Sequence, residues 1–241
     1  FYCYTVFLFK NFDFNLSTSF LSAFIFGLGK NIWFHSGVVA VYSMSILLFT
    51  LLLLIFVKWY KDQNKTTYIY WYAAIWGISF GTHSLIILLG IPFIAMLRLS
   101  RSNLLKTKSL LAISILFLAP FIQYLYILWA YTKNTIVTFG SIGTFKDFLN
   151  YITQQDYAFK IGARGLSDIL PFFNSALSLL AKEYGIAFFL IGLLGIIYLI
   201  KNNRNAFIVF TAIIIGNLTL MFAYGPRGSF VLLFRYLYPS F

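Results

Sequence analysis

The chain has 241 residues, 61% hydrophobic and 10% charged, with a mean hydropathy of +0.85. An average soluble domain has roughly 45–50% apolar and about 25% charged residues. The composition therefore excludes a water-soluble globular enzyme, a disordered chain and a disulfide-stapled secreted domain. The formal charge of +12 fits basic residues in short cytoplasmic loops, which attract anionic lipid, better than it fits nucleic acid as a partner.

The expected fold class is all-α, a polytopic transmembrane helical bundle, integral to the membrane and multi-pass. A spanning helix needs about 20 apolar residues. The apolar runs Phe1–Phe9 and Phe230–Phe241 stand at the two ends, so the chain is expected to be a fragment cut inside hydrophobic segments. Residues 1–241 read as one membrane domain without a linker or internal repeat. The single Cys3 excludes an intrachain disulfide and a multi-cysteine metal site.

In chain order, Phe1–Phe9 is closed by Lys10. Spans are expected at about 16–32 and 38–57, the second ending in the basic loop 58–65. The next apolar stretch, Tyr68–Leu97, would be about 45 Å long as one helix, well over a hydrocarbon core of about 30 Å. Gly81-Thr82-His83-Ser84 interrupts it, which predicts a hairpin of two short helices. A span at about 110–129 follows, then an outer-face loop region over about 131–184. Two more spans are expected at about 186–200 and 206–224, before the loop 225–229 and the final apolar run.

The hairpin sets the predicted topology. It places Lys10 and the loops 58–65, 98–108 and 201–204 on one side, with ten basic residues in short segments. The positive-inside rule makes that side cytoplasmic. The turns 30–36 and 81–84, the 131–184 region and the 225–229 loop then face outward. In that region Phe145, Phe148, Leu149 and Ile152 fall at i, i+3, i+4 and i+7, predicting a short helix that Thr144 can cap. Ile169–Lys182 reads as a second helix, with Asp168 at its start and Pro171 in its first turn. Each would lie on the outer membrane surface or pack on the protein.

Acidic residues are few: Asp13, Asp62, Asp147, Asp156, Asp168 and Glu183. None falls in the middle of a predicted span, which argues against an ion-coupled transporter. His35 and His83 fall at outer turns. Without an HExxH pattern or a cysteine they make no metal site, and the plainer reading of each is a polar residue satisfying a turn. Gly27–Lys30 fails the phosphate-loop spacing. The sequons at Asn15, Asn64 and Asn217 fall on the inner side or in a span and are discounted. The outer region sets Lys160 and Arg164 beside Tyr151, Tyr157 and Phe159. That combination suits a lipid-linked phosphate or a sugar, or else an ordinary interfacial belt.

Several short motifs run along the chain in order: Trp33-Phe-His35 through Ala40-Val-Tyr42, Gly77-Ile-Ser-Phe-Gly-Thr-His83, Phe139-Gly140-Ser141 through Thr144, Phe148 and Tyr157, and Tyr238-Pro239-Ser240. Together they resemble the membrane glycosyltransferases related to transmembrane protein 260, the protein O-mannosyltransferase family. Their bacterial relatives form domain-of-unknown-function family 2723. The resemblance implies a GT-C-like fold. It also implies transfer of a sugar from a polyprenyl-phosphate carrier to an acceptor on the extracytoplasmic face, in the plasma membrane of a bacterium. Its catalytic carboxylate is expected upstream of Phe1, in a histidine-proline-proline-glycine-tyrosine-proline loop that these residues lack, so the fragment alone is expected to be inactive.

The chain departs from the family pattern at two acids. Ala40 stands where the family has glutamate and Ser141 where it has aspartate. The resemblance carries over His83 and Tyr42 as site-lining residues. His35 is added from its place at an outer turn. Lys160, Arg164 and Arg227 are added as cations able to balance a leaving phosphate. No cofactor and no metal are expected, and the partners are the lipid bilayer, the lipid-linked sugar and an unspecified acceptor. The rival readings are a transporter or lipid-linked oligosaccharide flippase, and a catalytically inactive relative.

Overall fold

The computed structural model describes residues 16–28, 42–100, 107–133, 142–153 and 165–224. Among these the chain is all-α, with helices, short 3₁₀ segments and no strand. In chain order they are α1 (Leu16–Gly27), α2 (Tyr42–Lys61), α3 (Thr67–Ser79), a 3₁₀ segment (Ser84–Leu89), α4 (Gly90–Leu99) and α5 (Thr107–Leu118). A 3₁₀ segment (Ala119–Tyr124) joins α5 to α6 (Leu125–Thr132). Then come α7 (Phe145–Ile152), α8 (Ile169–Tyr184), α9 (Ile186–Asn202) and α10 (Arg204–Tyr224). Three stretches are long and apolar enough to cross a membrane: Met44–Lys61, Thr107–Thr132 and Arg204–Ala223. The expected first segment, the turn at 30–36 and the final run lie outside the described residues.

The long apolar stretch is a hairpin. α3 goes up, the chain turns at residues 80–83, and the Ser84–Leu89 segment with α4 brings it back. α2 packs along α3 and α4, and α3 packs on α5. The core lies between them and holds Leu52, Phe56, Trp59, Ile69, Tyr72, Leu89, Phe93 and Met96, with Ile113 from α5 and Val209 and Ile213 from α10. Inside a bilayer, apolar burial gains little, because lipid is as apolar as leucine. Close packing and internal hydrogen bonds must hold the helices together.

Two features supply that packing. Pro120 has no N–H and cannot continue the α-helical ladder, and the chain passes into 3₁₀ geometry over Ala119–Tyr124. Gly77 of α3 fits against this point, where a Cβ would run into the Phe117 carbonyl and crowd the Pro120 ring. Around the crossing the rings of Trp76 and Phe117 lie 4.7 Å apart, Trp76 and Phe93 5.3 Å, and Phe80 and Phe121 5.4 Å.

The helix directions put six helix ends together. Gly77 lies beside Phe117 and Gly81 beside Gln123, so α3 and α5 run the same way. Gly216 of α10 meets Leu88 and Ile91 near the start of α4, while Asn203 just before α10 meets Tyr60 at the end of α2, so α10 runs against α4. The Tyr60 hydroxyl donates to Asn203 Oδ1 over 2.9 Å, which joins the end of α2 to the α9–α10 turn. The basic loops after α2, before α5 and before α10 therefore share one end.

The opposite end holds the end of α6 and α8. α7 is closed by a capping box, in which Asp147 N–H donates to Thr144 Oγ1 at 3.1 Å and Thr144 N–H donates to the Asp147 carboxylate at 2.9 Å. α8 packs on the far end of α10, with Phe172 and Ala176 buried and Phe172 5.4 Å from Phe222. Its other face, with Leu170, Phe173 and Leu177, is exposed. Asp168 stands at the head of α8, but its carboxylate accepts from Gly165 N–H at 2.8 Å and so closes the preceding 3₁₀ turn instead of capping the helix.

The glycines separate packing from propensity. Gly77→Ala is expected to cost about 1–3 kcal/mol, since a methyl group there must push α3 off α5. Gly192→Ala, where an added Cβ meets nothing, is expected to be neutral or to stabilise by up to ~1 kcal/mol. Thermal unfolding of both variants in detergent checks the pair. Equal losses would show that α3 and α5 do not make this close approach.

Candidate functional site

Among the residues singled out by sequence, His83 is the one whose side chain is described. It sits in the turn of the α3 hairpin, half-buried. The physical problem of such a turn is its backbone. The last carbonyls of a helix have no partner within it, and in hydrocarbon each unmet group is costly.

Here the carbonyls of the turn are met one by one. Ser79 Oγ donates to Ile75 O at 2.6 Å, and Thr82 Oγ1 donates to Ser79 O at 2.8 Å. Gln123 Nε2 reaches Ile78 O at 3.4 Å, and the Tyr124 hydroxyl donates to Phe80 O at 2.8 Å. Gly81 lies close against the Gln123 amide, where an added Cβ would make that side chain shift. On the returning arm Trp76 Nε1 donates to Ile86 O at 2.9 Å, and the Tyr72 hydroxyl donates to Leu89 O at 2.7 Å. His83 O accepts from Ile86 N–H at 3.2 Å and opens the 3₁₀ segment.

The turn is recessed. α3 has 13 residues, which span about 20 Å, against a hydrocarbon core of about 30 Å. Its partner Tyr124 is followed by all of α6, eight further residues. These rise about 12 Å beyond the contact. The sequence placed His83 at an outer turn. The structure puts the turn at the end opposite the basic loops but well below the end of α6, because α3 is too short to reach it.

A neutral imidazole has one ring nitrogen that donates and one that accepts. That suits a hydroxyl or a phosphate oxygen better than a charge-balancing role. Tyr42 opens α2 at the same end of the bundle as the turn, and its side chain lies outside what is described. His35, Lys160, Arg164 and Arg227 lie outside the described residues, as do Ala40 and Ser141.

The family comparison bears on this part of the chain. Residues 9–107 match the family model of the protein O-mannosyl-transferase TMEM260 N-terminal domain. The match covers under half of the 241 residues and includes α1 to α4 and the His83 turn. It is consistent with a relation to TMEM260 and supports a glycosyltransferase kind. The motifs at 139–157 and 238–240 lie beyond it. No curated protein and no solved structure matches the chain.

The sequence reading missed Gln123 and Tyr124, which hold the turn from outside the matched stretch. A signal was present. An amide within an apolar span is expensive unless it is hydrogen-bonded, and Gln123 follows Pro120 by three residues. Among the described residues no group of three His, Cys, Asp or Glu side chains is placed to hold a metal ion.

Proposed function

We propose that this protein is a membrane glycosyltransferase of GT-C-like architecture that transfers a sugar from a polyprenyl-phosphate carrier to an acceptor on the extracytoplasmic face. The observation that carries the reading is the match over residues 9–107, with its own polar turn lying inside it.

In such a transfer the bond from the sugar's anomeric carbon to the carrier phosphate breaks, and the phosphate leaves with the electron pair. The acceptor oxygen bonds to that carbon and gives its proton to a base. Two demands follow: charge stabilisation at the phosphate and orientation of the sugar. His83 serves orientation, donating a hydrogen bond to a phosphate oxygen or a sugar hydroxyl. Tyr42 is assigned to the same site. His35, Lys160, Arg164 and Arg227 are assigned as further site residues, the three cations beside the leaving phosphate.

The rival reading as a transporter gains nothing from the described helices. Their charged residues stand in the terminal turns, at Lys58, Lys61, Arg98, Lys108, Lys182, Glu183, Lys201 and Arg204, apart from Lys146 and Asp147 in the short helix α7. Ion or proton paths need such groups deep in the bundle.

The test uses the protein at its full natural length in lipid nanodiscs, with radiolabelled polyprenyl-phosphate mannose or glucose. Sugar-dependent release of the carrier phosphate is expected, reduced about 10–100-fold by His83→Ala, the loss of one positioned polar contact. Absence of release with either sugar would overturn the transferase. Release undiminished in the variant would remove the turn from the site.

A further inference from the structure

The end of the bundle opposite the His83 turn carries a strong excess of one charge. Among the described residues it holds Lys58, Lys61, Lys65, Arg98, Lys108, Lys201 and Arg204 against the single acid Asp62, which pairs with Lys65 at 3.2 Å.

The tertiary structure gathers part of this charge at one joint. Asn203 lies between α9 and α10, and its Oδ1 accepts from the Tyr60 hydroxyl at 2.9 Å and from Ala206 N–H at 3.2 Å. One side-chain oxygen thus caps α10 and fastens the α9–α10 turn to the end of α2. Lys58 and Lys61 flank Tyr60 in the last turn of α2, and Lys201 and Arg204 flank Asn203. Lys61, Lys201 and Arg204 are exposed and Lys58 is half-buried. All four stand within a turn of the end of an apolar helix, the level of a bilayer's headgroups, which long basic side chains reach by extending along the apolar surface.

We propose that this joint is a binding surface for anionic phospholipid headgroups, with Lys58, Lys61, Lys201 and Arg204 as the contacting side chains and the Tyr60–Asn203 hydrogen bond as the clamp that holds them together. The lipid phosphate supplies the complementary charge and is delivered at the right depth by its own acyl chains. A nucleic acid or an acidic protein would meet only the parts that project into water. The role does not depend on sugar transfer, so it stands or falls separately from the proposed enzyme function.

The experiment is a titration of the protein in phosphatidylcholine nanodiscs containing a small fraction of spin-labelled phosphatidylglycerol or spin-labelled phosphatidylcholine, reading the motionally restricted lipid. Phosphatidylglycerol is expected to be retained in preference, with the preference falling as salt rises. Removing a charge weakens it about fivefold, so Lys201→Gln with Arg204→Gln should lower it by more than tenfold. Tyr60→Phe, which keeps the ring and all four charges, should lower it partially. Lys133→Gln with Lys182→Gln at the opposite end should leave it unchanged. Both pairs are exposed surface changes, and a circular-dichroism melt identifies any variant that has lost its fold. Equal retention of the two lipids would overturn the proposal. So would a preference untouched at 201 and 204, or one abolished by millimolar inorganic phosphate, which would mark a site for a free anion.

Discussion

The polar backbone of the α3 hairpin must find its hydrogen bonds without water, and the surrounding structure is organised around that demand. A helix that stops inside the depth of a membrane exposes its last carbonyls to hydrocarbon, where an unmet group costs several kcal/mol. In this protein six side chains meet them: Ser79 and Thr82 from the turn itself, Tyr72 and Trp76 from α3, and Gln123 and Tyr124 from the neighbouring span. Four of the six belong to the hairpin, so the turn largely closes on itself. The other two lock it to the span at Pro120.

That lock explains the positions of the glycines and aromatic rings. Gly77 lets α3 reach the backbone at Phe117, and Gly81 leaves room for the Gln123 amide. Trp76 then works twice, as a hydrogen-bond donor to Ile86 and as a ring packed on Phe93 and Phe117. Helix packing in a membrane relies on such close approaches because lipid offers no hydrophobic penalty to separation. The polar turn that bears His83 is therefore a stiff feature. A group meant to orient a substrate has to be held in this way.

The two ends of the bundle have divided roles. One is basic, tied together by Tyr60 and Asn203, and suited to a charged membrane surface. The other carries the recessed turn and the helix α8, with exposed apolar side chains such as Leu170 and Phe173. The match to the TMEM260 N-terminal domain spans parts of both ends and includes the turn. The sugar transfer proposed here places the chemistry at the recessed end and leaves the basic end to anchor the protein.

Much of this was legible in the sequence, and the division is physical. Composition determined the membrane class, because a chain with 10% charged residues has too little polar surface for water. Length determined the hairpin, since a 30-residue helix overshoots a bilayer and Gly81 to Ser84 offered the break. Local patterns also determined the α7 capping box and the helix after Asp168, because caps and periodicity are set by neighbours in sequence. The depth of the His83 turn was decided only in three dimensions, by where a short helix meets a bent one. Gln123 and Tyr124 joined the turn from 45 and 44 residues away, and Tyr60 met Asn203 across 143 residues. No local pattern carries such contacts, because they depend on which helix faces which, and packing alone settles that.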